Sequence, residues 1–384
     1  MTRRLLAPLA ALALVAGCAA ADVEVTATTD SATATADSAT ATTAAQTAAQ
    51  GDGVLGEPVT LALEEDESVI AVSPSGEHLV TVTEPTVPEG QSDWSVDVCV
   101  RSGEDYESAD CVDGGELASY PRGAVWNPDE TLLAYVYPRT NKLNVVCVLD
   151  LATGQVRALT DVDARVERSV SLAWLADGRI AYSWAQEGAT QIRTVDPVDP
   201  EPDPEVVVTL EAGQVDRLFA AGDRLLFEGA IDRQRGVFEL TDRGAADLLV
   251  PVVVEGAVLA ADSAGERLAF QPWDVHVAMP LTVIDVPTGA EHEIGELDVE
   301  RLTTAAEFSD DDQHLLTLSY VGVRGELQLL DRERAVVATR AFDRVPGTQF
   351  SEGVHWTDRG VVLVSTSAGH ARHVQIFPVT LPAA

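Results

Sequence analysis

The chain has 384 residues, with 62 acidic against 25 basic side chains and a formal charge of −37 at pH 7. That balance excludes nucleic acid as a partner, because phosphate backbones are held by clustered Lys and Arg, and it opposes adsorption to anionic lipid. The length suffices for a large buried core, and no later apolar run approaches the ~20 residues of a membrane-crossing helix.

The chain opens with Arg3 and Arg4, then an apolar stretch from Leu5 to Ala16 that closes on Val15-Ala16-Gly17-Cys18. Such a stretch is too short to span a bilayer and reads as a processing signal. The pattern resembles a bacterial lipoprotein signal. The resemblance implies that residues 1–17 are removed and that Cys18 is lipidated with several acyl chains such as palmitate. It also implies that the mature protein sits on the extracytoplasmic side of the cell membrane. Residues 19–53 are nearly all Ala, Thr, Ser, Asp and Gln, with Val23 and Val25 the only larger apolar side chains. They cannot bury a core, so residues 18–53 are expected to form a disordered tether spanning on the order of 30 Å.

Residue 54 begins the expected folded domain, 54–384. Pro58-Val-Thr-Leu-Ala-Leu63 reads as a strand, and a repeat follows it. An apolar or aromatic residue leads into a polar turn, and an apolar run follows. The leading residues are Val72, Trp126, Trp174, Ala220, Ala261, Phe308 and Trp356, separated by 54, 48, 46, 41, 47 and 48 positions. A second turn signal recurs at Asp150, Asp285 and Asp331, which lie 24, 24 and 23 positions after their leading residues. One early and one late hairpin turn per repeat means four short strands, and period-two alternation supports them. The last repeat has room for three strands, about 353–356, 361–366 and 371–379, so the strand at 58–63 is expected to complete it.

These turns, such as Ser73-Pro-Ser-Gly76 and Asn127-Pro-Asp-Glu130, resemble those of TolB-type and WD40-like propellers. Together with the lipoprotein start, the pattern is similar to that of the propeller lipoproteins of actinobacteria. The expected fold is therefore an all-β, seven-bladed β-propeller, with six or eight blades as alternatives and the last blade completed by the N-terminal strand. Trp126, Trp174 and Trp356 share one repeat position and are expected to pack between blades.

Cys99 and Cys111 flank a polar segment and suit the facing strands of a hairpin closed by a disulfide, worth roughly 3 kcal/mol in the entropic account. Cys147 lies in an apolar run and reads as buried. No paired Cys or His spacing marks a metal site, and no cofactor is expected. No GxSxG elbow, HExxH helix, P-loop or Rossmann glycine pattern occurs. Asp310-Asp311-Asp312 falls at a turn, where aspartate suits the geometry, and Asp196 to Glu205 lacks the ligand spacing of a calcium loop.

In such a ring, second turns and inter-blade connections share one face, and that face carries the longest inserts. Arg139, Lys142, Arg233, Arg235 and Arg324 fall on second turns, with Trp94, Tyr120, Trp273 and His276 nearby in the expected arrangement. Basic residues against a negative background suit an anionic or carboxylate-bearing ligand, and the aromatics supply stacking surface. The functional expectation is a membrane-anchored binding or scaffolding module for an envelope protein or cell-wall ligand. The alternatives are a propeller enzyme of lactonase, lyase or quinone-dependent dehydrogenase type, and an accessory regulator of a membrane sensor.

Overall fold

The computed structural model describes residues 54–63, 67–83, 95–103, 106, 108–116, 122–140, 143–160, 170–186, 188–241, 244–252, 256–274, 277–294, 301–321, 324–343, 348–358, 360–367 and 373–380. The chain divides into two units, Met1–Thr47 and Ala48–Ala384, and every described residue lies in the second. Cys18, the signal and the tether expected from the sequence lie outside the described residues.

Regular structure among the described residues is entirely β. β1 (Val54–Leu55) and β2 (Val59–Ala62) come first. Sheet A holds β3 (Glu67–Val72), β4 (His78–Thr83), β5 (Ser95–Ser102) and β6 (Ser108–Glu116), and sheet B holds β7 (Arg122–Trp126), β8 (Leu132–Thr140), β9 (Leu143–Asp150) and β10 (Gln155–Ala158). Sheet C holds β11 (Leu172–Trp174), β12 (Ile180–Gln186), β13 (Ala189–Val195) and β14 (Glu205–Leu210). Sheet D holds β15 (Gln214–Ala221), β16 (Arg224–Ile231), β17 (Gln234–Leu240) and β18 (Ala246–Pro251). In sheet E, β19 (Gly256–Ala261) and β20 (Arg267–Asp274) are followed by the short β21 (Val277–Ala278), which pairs back on β20, then by β22 (Leu281–Asp285) and β23 (Ala290–Ile294). Sheet F holds β24 (Arg301–Phe308), β25 (His314–Val321), β26 (Arg324–Asp331) and β27 (Val336–Asp343).

The C-terminal strands β28 (Thr348–Thr357), β29 (Gly360–Ser367) and β30 (His373–Phe377) form sheet G together with β2, paired Val59↔Ile376 and Leu61↔Val374. The N-terminal strand thus supplies the fourth strand of the sheet that the C-terminus begins. The strand expected to run to residue 379 stops at Phe377, because Pro378 has no N–H to give the ladder, and β31 (Val379–Thr380) turns to pair with β1.

The core consists of apolar layers between successive sheets. Tyr135 and Cys147 of sheet B pack with Val80 and Val98 of A, Tyr182 of C with Val136 of B, and Phe227 of D with Ile192 of C. Leu268 of E packs with Leu226 of D, Phe308 of F with Ala269 of E, and Val354 of G with Leu318 of F. Val374 of sheet G then packs with Leu79 and Tyr106 of sheet A, so the stacking returns to its start. Each sheet alternates inward residues to both neighbours, which is why its middle strands read as continuous apolar runs.

The repeat's leading residues end the first strands of the sheets, or stand one residue short of the end in D and G. Four positions later the backbone turns left-handed, at Gly76, Gly178, Gly265 and Gly360, and also at Glu130 (φ 54°) and Asp312 (φ 55°). Glycine meets that geometry without strain, whereas these two acids hold it through bonds to the preceding sheet. Glu130 accepts from the Ser75 N–H at 2.6 Å and from its Oγ at 2.5 Å, and Asp312 accepts from the N–H of Ser263 at 3.0 Å and from its hydroxyl. Ring contacts repeat in the same register: His78 stacks on Trp126 (6.2 Å), His314 on Trp356 (6.4 Å), and Arg267 lies 5.0 Å from the Phe308 centroid. Trp126 and Trp356 therefore pack between sheets, and Trp174 lies against the layer between B and C.

Candidate functional site

The first strand of each sheet is its innermost, and most of these strands carry a β-bulge at a similar point, as between Val215 and Arg217, Val258 and Ala260, and Thr303 and Ala305. A bulge re-aims a side chain and frees backbone groups from the ladder. At sheets D and E those freed groups meet a charged pair. Arg217 donates to Val258 O (2.8 Å) and Leu259 O (3.2 Å), while its cross-strand partner Glu228 accepts from Val258 N (3.1 Å). The Arg217 guanidinium also lies 5.0 Å from the Phe219 ring centroid. Glu307 of sheet F repeats the device by accepting from the N–H of Trp356 in sheet G at 2.8 Å.

These groups form an ionisable cluster around the inner strands. Burial lowers the Arg217 pKa, opposed by the fields of Glu228 and Glu307. Burial also raises Glu228, opposed by the Val258 N–H. Glu307 is pushed up to about 8 by its enclosed position, even though 36% of its side chain stays open to water. His355 Nδ1 lies 3.9 Å from Glu307 Oε2, within reach of an ion pair, yet burial pushes the imidazole down to about 4. Enclosure drives both partners toward neutral forms, so the contact is polar rather than ionic at neutral pH. Their hydrogen bonds run to backbone of the next sheet, which makes Arg217, Glu228 and Glu307 ties between strands. Their sequence signal is charge inside a strand pattern, at Asp216-Arg217 and Glu307, and turn chemistry and motif spacing do not reveal it.

The second-turn face is built differently. Arg233 lies in the turn between β16 and β17 in a left-handed conformation (φ 71°), next to Asp232 (φ 51°). Arg235 is the second residue of the following strand and pairs with Asp216 at 2.8 Å rather than with the adjacent Asp232. Arg324 opens β26, exposed. Arg139 stands near the end of β8, so Arg139, Arg235 and Arg324 mark the second turns of sheets B, D and F. The side chains of Arg139 and Trp273, and the whole of Trp94, Tyr120, Lys142 and His276, lie outside the described residues. Trp273 belongs to β20, where it pairs with Ala278 of β21.

Cys99 and Cys111 face each other across β5 and β6 and are joined by a disulfide. Cys147 is free and buried, and burial pushes its thiol up to about 12, which removes nucleophilic character at neutral pH. Asp311 accepts from Ser309 Oγ and Gln313 N, and Asp196 and Asp199 accept from N–H groups within their own loop. All three serve turn geometry. Among the described residues no three His, Cys, Asp or Glu converge to hold a metal ion.

No family model and no curated protein matches the chain. Solved structures do match. The β-propeller domain of the Trilobed protease from Pyrococcus furiosus, described with an open velcro topology, aligns at TM-score 0.54 and 14% identity over 85% of this chain and 99% of that one. An oligogalacturonate lyase in complex with manganese aligns at TM-score 0.55 and 10% identity, covering 86% and 98%. TolB from Acinetobacter baumannii aligns at TM-score 0.47 and 15% identity, over 69% of this chain and 63% of that one, so the chain spans less than two thirds of its length. The fold is thus an all-β propeller. In contrast to an open velcro, β2 here pairs with the C-terminal strand β30.

Proposed function

We propose that the protein is a binding module on a tether: a propeller carried on residues 18–53 from a lipidated Cys18, on the extracytoplasmic side of the cell membrane. Its second-turn face would engage an envelope protein or cell-wall component bearing carboxylate or other anionic groups. The ring in this reading has seven blades, supported by sheets A to G, four-stranded apart from the extra β21 in E, and by the apolar layer that returns from G to A. The observation that carries the functional reading is the exposure of Arg233, Arg235 and Arg324 at the second turns of sheets D and F in a chain of charge −37. Exposed guanidinium groups on a negative body offer a surface where an anion is attracted.

The test is in-cell crosslinking with mass spectrometry, comparing the parent with a variant in which Arg139, Arg235 and Arg324 are all changed to Glu. The expected result is a dominant partner captured by the parent and lost by the variant. Identical capture by both would overturn the reading. Release of the protein into the medium after Cys18→Ala would support the anchor, and an unchanged membrane fraction would refute it.

A further inference from the structure

On the same side of the ring, between the end of sheet D and the outer half of sheet E, lies a cleft of about 150 Å³. Its walls are Pro251, Val252, Phe270, Pro272, Met279 and Ile284, and its outer edge carries Glu291 and Glu293. The alternation of β23 puts these two carboxylates on one face, across the ladder from Ile284 and Thr282. Both are exposed, no ion pair or hydrogen bond engages either among the described residues, and no basic side chain lines the cleft.

The walls are held in place. Gln271, 2% exposed, donates from Nε2 to Pro272 O (2.7 Å) and Met279 O (2.8 Å), which pins the excursion between β20 and β22. On the facing wall, Val252 N donates to Arg235 O at 3.1 Å. A cleft with braced walls binds without first ordering them.

We propose that this cleft is a binding site for a small organic ammonium or guanidinium ion bearing an apolar group, such as an amine with one aromatic ring. A volume of about 150 Å³ matches a single benzene-sized body. Proline, methionine and phenylalanine surfaces favour its apolar part, and Glu291 and Glu293 at the rim hold the cationic nitrogen at the water boundary. The site uses none of the arginine side chains of the second turns, takes ligands of opposite charge, and depends neither on the anchor nor on the partner proposed above.

The chain has two methionines, Met1 and Met279, so labelling methionine methyl groups with ¹³C places one reporter in the cleft, assigned by Met279→Leu. Full-length protein is titrated with phenethylammonium, 2-phenylethanol and 3-phenylpropionate. The expected result is a saturable shift of the Met279 methyl with phenethylammonium, weaker with the alcohol and weakest with the carboxylate. The variant E291Q/E293Q, whose changes are on the surface, is expected to weaken phenethylammonium about tenfold or more and leave the alcohol unchanged. That loss should also appear in the parent at high salt. A Met279 methyl unmoved by phenethylammonium would overturn the proposal, as would equal affinity for all three probes or an E291Q/E293Q variant that binds as the parent does.

Discussion

The two faces of the ring are made from the same repeat and put to different uses. On the first-turn face, neighbouring turns hold one another. Glu130 and Asp312 reach back to Ser75 and Ser263, Arg224 donates to Ala264 O and Gly265 O, and Asp358 N donates to Pro74 O between sheets G and A. Third turns join in, since Tyr106 donates from its hydroxyl to Gly76 O at 2.6 Å. On the second-turn face the described arginines are exposed, and the one ion pair among them, Arg235 with Asp216, is half open to water. Cohesion concentrated at one face leaves the other free to vary its loops without loss of the ring, which is the general condition for carrying recognition on a scaffold.

The largest test of that contrast removes closure itself. Deleting residues 54–64 takes away β1 and β2, the buried Leu55, and the pairing of Leu61 with Val374. Leu55 alone is worth about 2–3 kcal/mol. Loss of cooperative melting, or a Tm lower by more than about 10 °C, is expected in calorimetry. An unchanged Tm would break the closed-ring account.

Next in size is the disulfide of sheet A, which closes a hairpin whose turn lies on the cohesive face. Replacing Cys99 and Cys111 by Ala is expected to cost about 2–4 kcal/mol in denaturant titrations. The turn interlocks come after it. Glu130→Ala should cost about 1–2 kcal/mol, since its serine donors are partly buried, and Asp312→Ala about 0.5–1 kcal/mol, since water can take the place of its carboxylate; the two should add because they lie in different sheets. Glu130→Gly should cost less than Glu130→Ala, since glycine relieves the left-handed backbone. The reverse order would show that the acid's conformation carries no strain.

The effect of Glu307→Gln is set by pH rather than by a lost contact. The folded-state pKa of about 8 lies above the ordinary 4.5, so the folded chain keeps a proton that the unfolded chain releases, and stability falls as pH rises between these values. His355 acts in the opposite sense between about 4 and 6.5, where stability rises with pH. The Gln variant still accepts from Trp356 N–H. It should match the parent near pH 4 and exceed it at pH 8 to 9, whereas a constant offset across the range would refute the assignment. Smallest of all, the triple arginine reversal on the second-turn face should shift stability by no more than about 0.5 kcal/mol. A large loss there would erase the distinction between the faces.

Much of the architecture was legible before any coordinates. Val72, Trp126, Trp174 and their equivalents mark strand ends because a turn of fixed chemistry must follow each inner strand, and turn chemistry is local. The facing cysteines and the strand at 58–63 were legible for the same reason: hairpin spacing and strand counting need no knowledge of distant contacts. The site was less legible. Arg235 reads as a free second-turn charge until Asp216, displaced by a bulge in another strand, is found beside it.

What the sequence alone determined, then, is the periodic part: short strands, their punctuation, and the acidic surface, each set by residues within a few positions of one another. Only the tertiary structure decided which backbone groups the bulges would free and which charged side chains of the neighbouring sheet would take them. The same holds for the cleft, where prolines from sheets D and E come to stand around two unpaired carboxylates. Those outcomes depend on the angle and distance between packed sheets, and no local pattern encodes either.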